Sequence, residues 1–223
     1  MVTFETIRKK AEARKGGKEA LKELLPEVKD PEELKSIPDD RWLAEMTKRI
    51  FQAGFNWNVI ENKWDGFEAA FHGFEPGRLS LLSDDDNDQY LKDKRIVRNG
   101  QKIATVRHNA GMIVDLAKEY GSAAACFADW PDKDFIGLLD MLHKRGNRLG
   151  GSTASIFLRH MGKDSFVLSK DVTAALIAAG VVDKAPSSKK DMARAQDAFD
   201  NWRAESAWPL SHISRTLALS VGD

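Results

Sequence analysis

The chain predicts an all-α fold. Apolar residues recur at the helical period from end to end, an alternating strand pattern is nearly absent, and glycines and prolines divide the sequence into about ten helical stretches. Phe4 to Lys15 and Lys18 to Leu25 read as charged helices broken at Gly16-Gly17. Pro26, Pro31 and Pro38 then punctuate a linker, so residues 1–38 are expected to form an arm outside the core and residues 39–223 the domain proper. Asp39 is placed to cap a helix whose apolar face carries Trp42, Leu43, Met46, Ile50 and Phe51. Gly54 and Asn56 break it; Val59, Ile60 and Trp64 follow on the next helix. Asp65-Gly66 reads as a turn, and Phe67, Phe71 and Phe74 as core aromatics ahead of Pro76. Ser83 with Asp84, Asp85 and Asp86 marks a helix start, where acidic residues complement the helix dipole.

The cleanest amphipathic stripe is Ile103, Val106, Ala110, Ile113, Val114 and Ala117, ended by Gly121. Phe135, Ile136, Leu139 and Leu142 form a second stripe that runs into a glycine turn. Ala154, Phe157, Leu158 and Met161 share a face beyond it. Gly162 ends that helix, Phe166-Val167-Leu168 reads as a short extended piece, and Val172, Leu176 and Ile177 open another helix. Pro186-Ser187-Ser188 is a loop. Two closing helices carry Phe199 and Trp202, then Ile213, Leu217 and Val221.

Composition narrows the function classes. Lys+Arg of 34 equals Asp+Glu of 34, which disfavours nucleic-acid binding through bulk charge and leaves a local basic patch as the route. Cys126 is the only cysteine, so neither an intrachain disulfide nor a cysteine-cluster zinc site can form. A cytoplasmic, soluble protein is expected. The N-terminus lacks the apolar stretch of a secretory signal, and no run reaches membrane-spanning length. No cofactor motif is present.

The stretch from Arg145 to Ala154, Arg-Gly-Asn-Arg-Leu-Gly-Gly-Ser-Thr-Ala, closes a loop and opens an apolar helix. Adjacent glycines give a tight turn. Ser152 and Thr153 bring hydroxyls to the first helical turn, and Lys144, Arg145 and Arg148 crowd it. Such a helix start is an anion site, and the expected anion is a nucleic-acid phosphate.

Two regions resemble a known family. Phe51-Gln52-Ala53-Gly54-Phe55-Asn56-Trp57, then Phe71-His72-Gly73-Phe74-Glu75-Pro76, Ile96-Val97-Arg98, Lys102-Ile103 and Asn109-Ala110 run colinear with the type I 3-methyladenine DNA glycosylases. In that family a Gln-Ala-Gly-Leu-Ser-Trp segment precedes an aromatic-Phe-His run and an Ile-Arg…Lys-Ile…Asn-Ala helix. Leu149 to Ala154, with Gly162 and Phe166 to Leu168, is similar to the helix-hairpin-helix element of the wider glycosylase superfamily. The resemblance implies two helical lobes around a cleft, and base-excision repair of double-stranded DNA containing a damaged base. The nucleotide is flipped out and its base read in a pocket. It places Trp57 as the pocket tryptophan, with Asn56 beside it and Phe55, Trp42 and Arg49 as further pocket candidates. Arg148, Leu149, Gly150, Gly151, Ser152 and Thr153 take the phosphate-gripping role, which positions the protein without reading sequence.

Departures shape the expected chemistry. Ser152 stands where bifunctional members carry a lysine, so no amine nucleophile is available there and monofunctional hydrolysis is expected. Arg49 stands where the type I family has its pocket glutamate, three residues before Gln52. Arg148 takes the place of the first hairpin glycine. The family's zinc-binding Cys and His residues have no counterpart, so neither a metal nor a cofactor is expected. Counted from Gly162, the superfamily's catalytic aspartate falls on Ser169, with Asp171 two residues later as the catalytic candidate; Asp164 and Glu61 are further carboxylates. The expected activity is excision of an alkylated or damaged purine. The alternative is a lesion-binding protein of the same fold that does not cut.

Overall fold

The computed structural model describes residues 2–222. Fifteen α-helices and two 3₁₀ turns form among them, with no β-strand in the described residues. In chain order the helices are α1 (Phe4–Lys15), α2 (Lys18–Lys22), α3 (Pro31–Lys35), α4 (Asp39–Gln52), α5 (Trp57–Glu61), α6 (Trp64–Ala70), α7 (Pro76–Ser80) and α8 (Asp84–Tyr90). There follow α9 (Gly100–Tyr120), α10 (Ala123–Asp129), α11 (Phe135–Arg145), α12 (Thr153–Met161), α13 (Lys170–Ala178), α14 (Lys189–Ser206) and α15 (Leu210–Ser220). The surplus over the expected ten comes from one-turn helices that local capping starts and apolar periodicity cannot resolve. Asp30 and Glu33 form a capping box around Pro31, and Glu75 caps the helix that Pro76 begins. Asp65-Gly66 is no turn but lies inside α6. A Cβ on Gly66 would collide with the Arg95 carbonyl, so the glycine serves close approach.

The described chain divides into two compact units. The larger comprises Asp30–Trp130 and Leu139–Met161. Its axis is α4, which packs on α9 and α12 and buries Trp42, Leu43, Met46, Ile50 and Phe51. Trp42 has no exposed surface and lies against Phe127 and Phe157, with ring centroids 4.9 and 5.9 Å away. Phe51, Phe67, Phe71 and Phe74 form a second aromatic block, with Trp64 stacked on Phe67 and Phe74. Asp39 does not cap its own helix. It opens α4, and its carboxylate accepts the amides of Ala123 and Ala124 (3.0 Å each), joining the start of α10 to α4.

The smaller unit comprises Met1–Lys29, Pro131–Leu138 and Gly162–Asp223. Here residues 2–29 of the expected arm are instead part of a core, and the rest of it, with buried Leu34, belongs to the larger unit. Phe4, Ile7 and Ala11 of α1 are buried against α14 and α15, and the Trp202 indole donates to the Val2 carbonyl at 3.0 Å. The charged look of this segment hid three apolar residues on one face, enough to seat a helix. Phe166 stacks on Phe199 at 4.2 Å. The extended piece after Gly162 pairs with side chains rather than with a strand: the Ser165 amide donates to Ser211 Oγ (2.9 Å) and the Val167 amide to Ser214 Oγ (3.1 Å).

Candidate nucleic-acid interface

The segment after α4 carries two exposed aromatic rings, each backed by a cation. Gly54 adopts φ +75, which frees the chain from α4, and Asn56 caps α5 by accepting the Asn58 amide at 3.0 Å. Phe55 is 40% exposed and Trp57 47%, unusual values for aromatics. Lys102 Nζ lies 4.3 Å from the Phe55 ring centroid, and Arg49 Cζ lies 5.6 Å from that of Trp57. Lys102 also donates to the Phe51 and Ala53 carbonyls at 3.0 and 2.6 Å, tying off the end of α4. Burial, and then the charge of Arg148, push the Lys102 ammonium below its ordinary pKa.

Arg49 is buried and fully engaged on two of its nitrogens. Nε donates to Glu45 at 2.5 Å and Nη1 to Gln52 Oε1 at 2.6 Å. Gln52 passes the chain on to Glu61 at 2.8 Å, and Lys48 pairs with Glu61 at 2.6 Å, holding its carboxyl below the usual range. Thus the Glu61 carboxylate is committed to a structural network. Of the pocket candidates, Trp57, Phe55 and Asn56 lie on this segment and Arg49 reaches Trp57 from α4. Trp42 does neither: with no exposed surface, its indole has nothing to offer a base.

The turn between α11 and α12 is built on left-handed backbone. Arg148 has φ +60 at the place of the first hairpin glycine, and Gly151 has φ +58. Arginine therefore adopts the conformation a glycine takes without strain, at a cost of about 1–2 kcal/mol. Leu149 is buried, and a Cβ on Gly146 would collide with its side chain. Thr153 N–H turns back to the Gly150 carbonyl at 3.3 Å and Ile156 N–H to that of Ser152 at 2.9 Å, so backbone groups rather than the Ser152 and Thr153 hydroxyls close the helix start. Beside the turn lies a hollow of about 570 Å³ lined by Lys102, His143, Lys144, Arg148, Gly150 and Thr153 among others. Three cations and no carboxylate line it, a local basic patch on a chain of zero formal charge. Arg145 is not among them; its guanidinium pairs with Glu119 at 2.8 and 2.6 Å, and Lys144, which does line the hollow, pairs with Asp140.

The remaining carboxylates lie in the smaller unit. Ser169 caps α13 by accepting the Val172 amide at 3.2 Å, and Asp171 is exposed in the first turn of that helix. Asp164 is a capping residue, accepting the amides of Leu210 and Ser211 at 3.0 and 2.8 Å where α15 begins. Sequence reasoning gave Lys102 and Asn109 no role beyond the motif, although their seven-residue spacing puts them on one face of α9. Asn109 clasps the hairpin backbone at Asn147. Among the described residues no three His, Cys, Asp or Glu side chains converge on a metal-sized site, and no helix is long and apolar enough to cross a membrane.

Comparison with known proteins identifies a family and a shared fold. The methyladenine glycosylase family profile matches residues 35–184. DNA-3-methyladenine glycosylase 1 of Escherichia coli K12 is 30% identical over 59 residues, 26% of this chain and 32% of that protein, so the match spans about a third of its length. The Staphylococcus aureus 3-methyladenine DNA glycosylase I has a similar fold, with a TM-score of 0.52 at 19% identity over 62% of this chain and 80% of that one. An 8-oxoguanine glycosylase/lyase from Methanocaldococcus jannaschii, solved with DNA containing 8-oxoguanine, gives a TM-score of 0.54 at 15% identity over 95% of both chains.

Proposed function

Because the chain belongs to the methyladenine glycosylase family, we propose that it excises a damaged purine from double-stranded DNA by monofunctional hydrolysis of the glycosidic bond. The single observation that carries this reading is the Trp57 indole, nearly half exposed beyond a capped, glycine-freed turn in a segment colinear with the family's pocket. An extruded base stacked on an indole gains about 1–3 kcal/mol. The left-handed hairpin with its cationic hollow supports phosphate binding that positions the duplex without reading sequence. Cleavage builds positive charge on the sugar, so a nearby anion lowers the barrier, and Asp171 is the carboxylate assigned to that task. Water then attacks the sugar carbon. With serine at position 152 no amine enters, and strand cleavage through a Schiff base is not expected.

The test is incubation of the protein with a panel of duplexes carrying alkylated and otherwise damaged purines. Released base together with alkali-labile sites is the expected outcome. Measurable duplex binding with no release from any lesion overturns the enzymatic reading. It would leave the second one, a lesion-binding protein of glycosylase fold, which the buried Arg49 at the pocket-glutamate position favours.

A further inference from the structure

Arg49 and Trp57 together form a platform whose chemistry differs from that of an acidic pocket. The Arg49 side chain is 7% exposed, Nε and Nη1 are occupied by Glu45 and Gln52, and neither of those residues takes the Nη2 amino group. Its carbon lies 5.6 Å from the centroid of the exposed indole. Around it Lys48 and Arg49 are balanced by Glu45 and Glu61, linked through 2.5 and 2.6 Å contacts. His160 sits 4.0 Å from Glu45, and burial followed by the Arg49 charge lowers its pKa, keeping it neutral near pH 7. The side chains around Arg49 therefore carry no net negative charge.

We infer that this site selects a neutral purine lesion presenting a carbonyl acceptor, an oxidised or deaminated base, over a base carrying a fixed positive charge. The inference rests on the reading of Trp57 as the base platform. A cationic base brought to the indole shares the ring with a guanidinium that cannot lose its charge, and the two repel. A carbonyl oxygen instead receives a charge-assisted hydrogen bond from the Nη2 donors, stronger than a neutral one. Glu45 anchors Arg49 and offsets its charge at long range, while the donors beyond Nε and Nη1 keep their full polarity for a ligand.

The experiment measures affinity for duplexes whose lesion sugar carries a 2′-fluorine, so that the glycosidic bond stays intact. Duplexes containing 8-oxoguanine, hypoxanthine or the cationic 7-methylguanine are compared by titration. The expected result is binding of the two neutral lesions at least tenfold tighter than that of 7-methylguanine. In Arg49→Gln, which keeps hydrogen bonding and loses the charge, the ratio falls toward one. Arg49→Lys, which keeps the charge and loses the planar fork, retains discrimination against 7-methylguanine and loses most of the gain for the carbonyl bases. Equal wild-type affinities, a preference for 7-methylguanine, or no lesion preference at all overturns the inference, whatever the variants do. Since no turnover enters this measurement, its failure leaves the excision reading standing, and absence of turnover in the lesion panel leaves this preference to be read separately.

Discussion

Asn109 holds Asn147 with both ends of its side-chain amide. Oδ1 accepts the Asn147 N–H at 2.7 Å and Nδ2 donates to the Asn147 carbonyl at 3.1 Å, from a side chain with no exposed surface. The contact fixes the entry of the hairpin to α9, the helix that also carries Lys102 and so the end of α4. One helix face thereby sets both the aromatic segment and the hairpin turn.

Asn109→Ala removes both bonds and leaves the Asn147 backbone groups without them. The expected cost is about 2 kcal/mol of stability, seen as a lower urea midpoint. Duplex affinity is expected to fall several-fold although Asn109 itself is buried away from any ligand. Unchanged duplex binding in a destabilised variant would show that the turn keeps its shape without the clasp.

The double substitution Gly150→Asp with Gly151→Asp tests the hairpin directly. A Cβ at position 150 meets the His143 ring at 3.0 Å, and position 151 requires φ +58, which aspartate tolerates better than most residues. Two carboxylates beside a hollow lined by Lys102, Lys144 and Arg148 would repel a phosphate. Duplex binding should drop by at least tenfold, with a shallower dependence on salt because fewer counterions are released. Full retention of affinity with the wild-type salt slope would remove the hairpin from the interface and favour an all-α interaction domain without a DNA role.

Much of this was legible in the sequence, and the failures have physical causes. The i, i+4 spacing of Glu45 and Arg49 announced their ion pair, and the apolar stripe of α9 announced its burial. Trp42 and Trp57 were both candidate pocket residues, because composition cannot distinguish an indole facing the core from one lifted by a glycine with positive φ. The N-terminal segment read as an arm since its charges outnumber Phe4, Ile7 and Ala11, whose partners lie some two hundred residues away. Tertiary contacts of that span leave no local trace. Asn109 and Lys102 were visible only as motif letters, since their partners are backbone atoms, which have no sequence.

The two tryptophans therefore make a paired prediction. Trp42→Ala empties a site packed by Phe127 and Phe157 and should cost about 3–5 kcal/mol. Trp57→Ala removes a half-exposed ring and should change stability by only about 0.5 kcal/mol. The functional order is the reverse. Trp57→Ala should lose lesion preference by about ten- to a hundred-fold, the worth of one stacked base, and keep plain duplex binding. A Trp57→Ala protein with intact lesion preference would end its role as base platform.

Acid should also weaken a charged cluster in the smaller unit. Asp132 accepts from Arg203 at 2.9 Å and from Lys163 at 3.2 Å. Burial alone would raise its pKa, but the two cations outweigh it and hold the carboxyl below its ordinary value of 3.8. The unfolded chain then binds this proton more readily than the folded one. The contribution of Asp132 is complete above the unfolded value and is lost as pH falls through the lower folded value. Asp132→Asn should cost about 1–2 kcal/mol at pH 7, the worth of charge-assisted bonds at a partly exposed site. That gap should hold to about pH 5 and narrow as pH falls below the ordinary value of 3.8, closing only once pH passes the lower folded value. Urea titrations at pH 7, 5, 4 and 3 measure it. A gap that stays constant across the series would mean that the amide's altered packing, and not the lost charge, accounts for the difference.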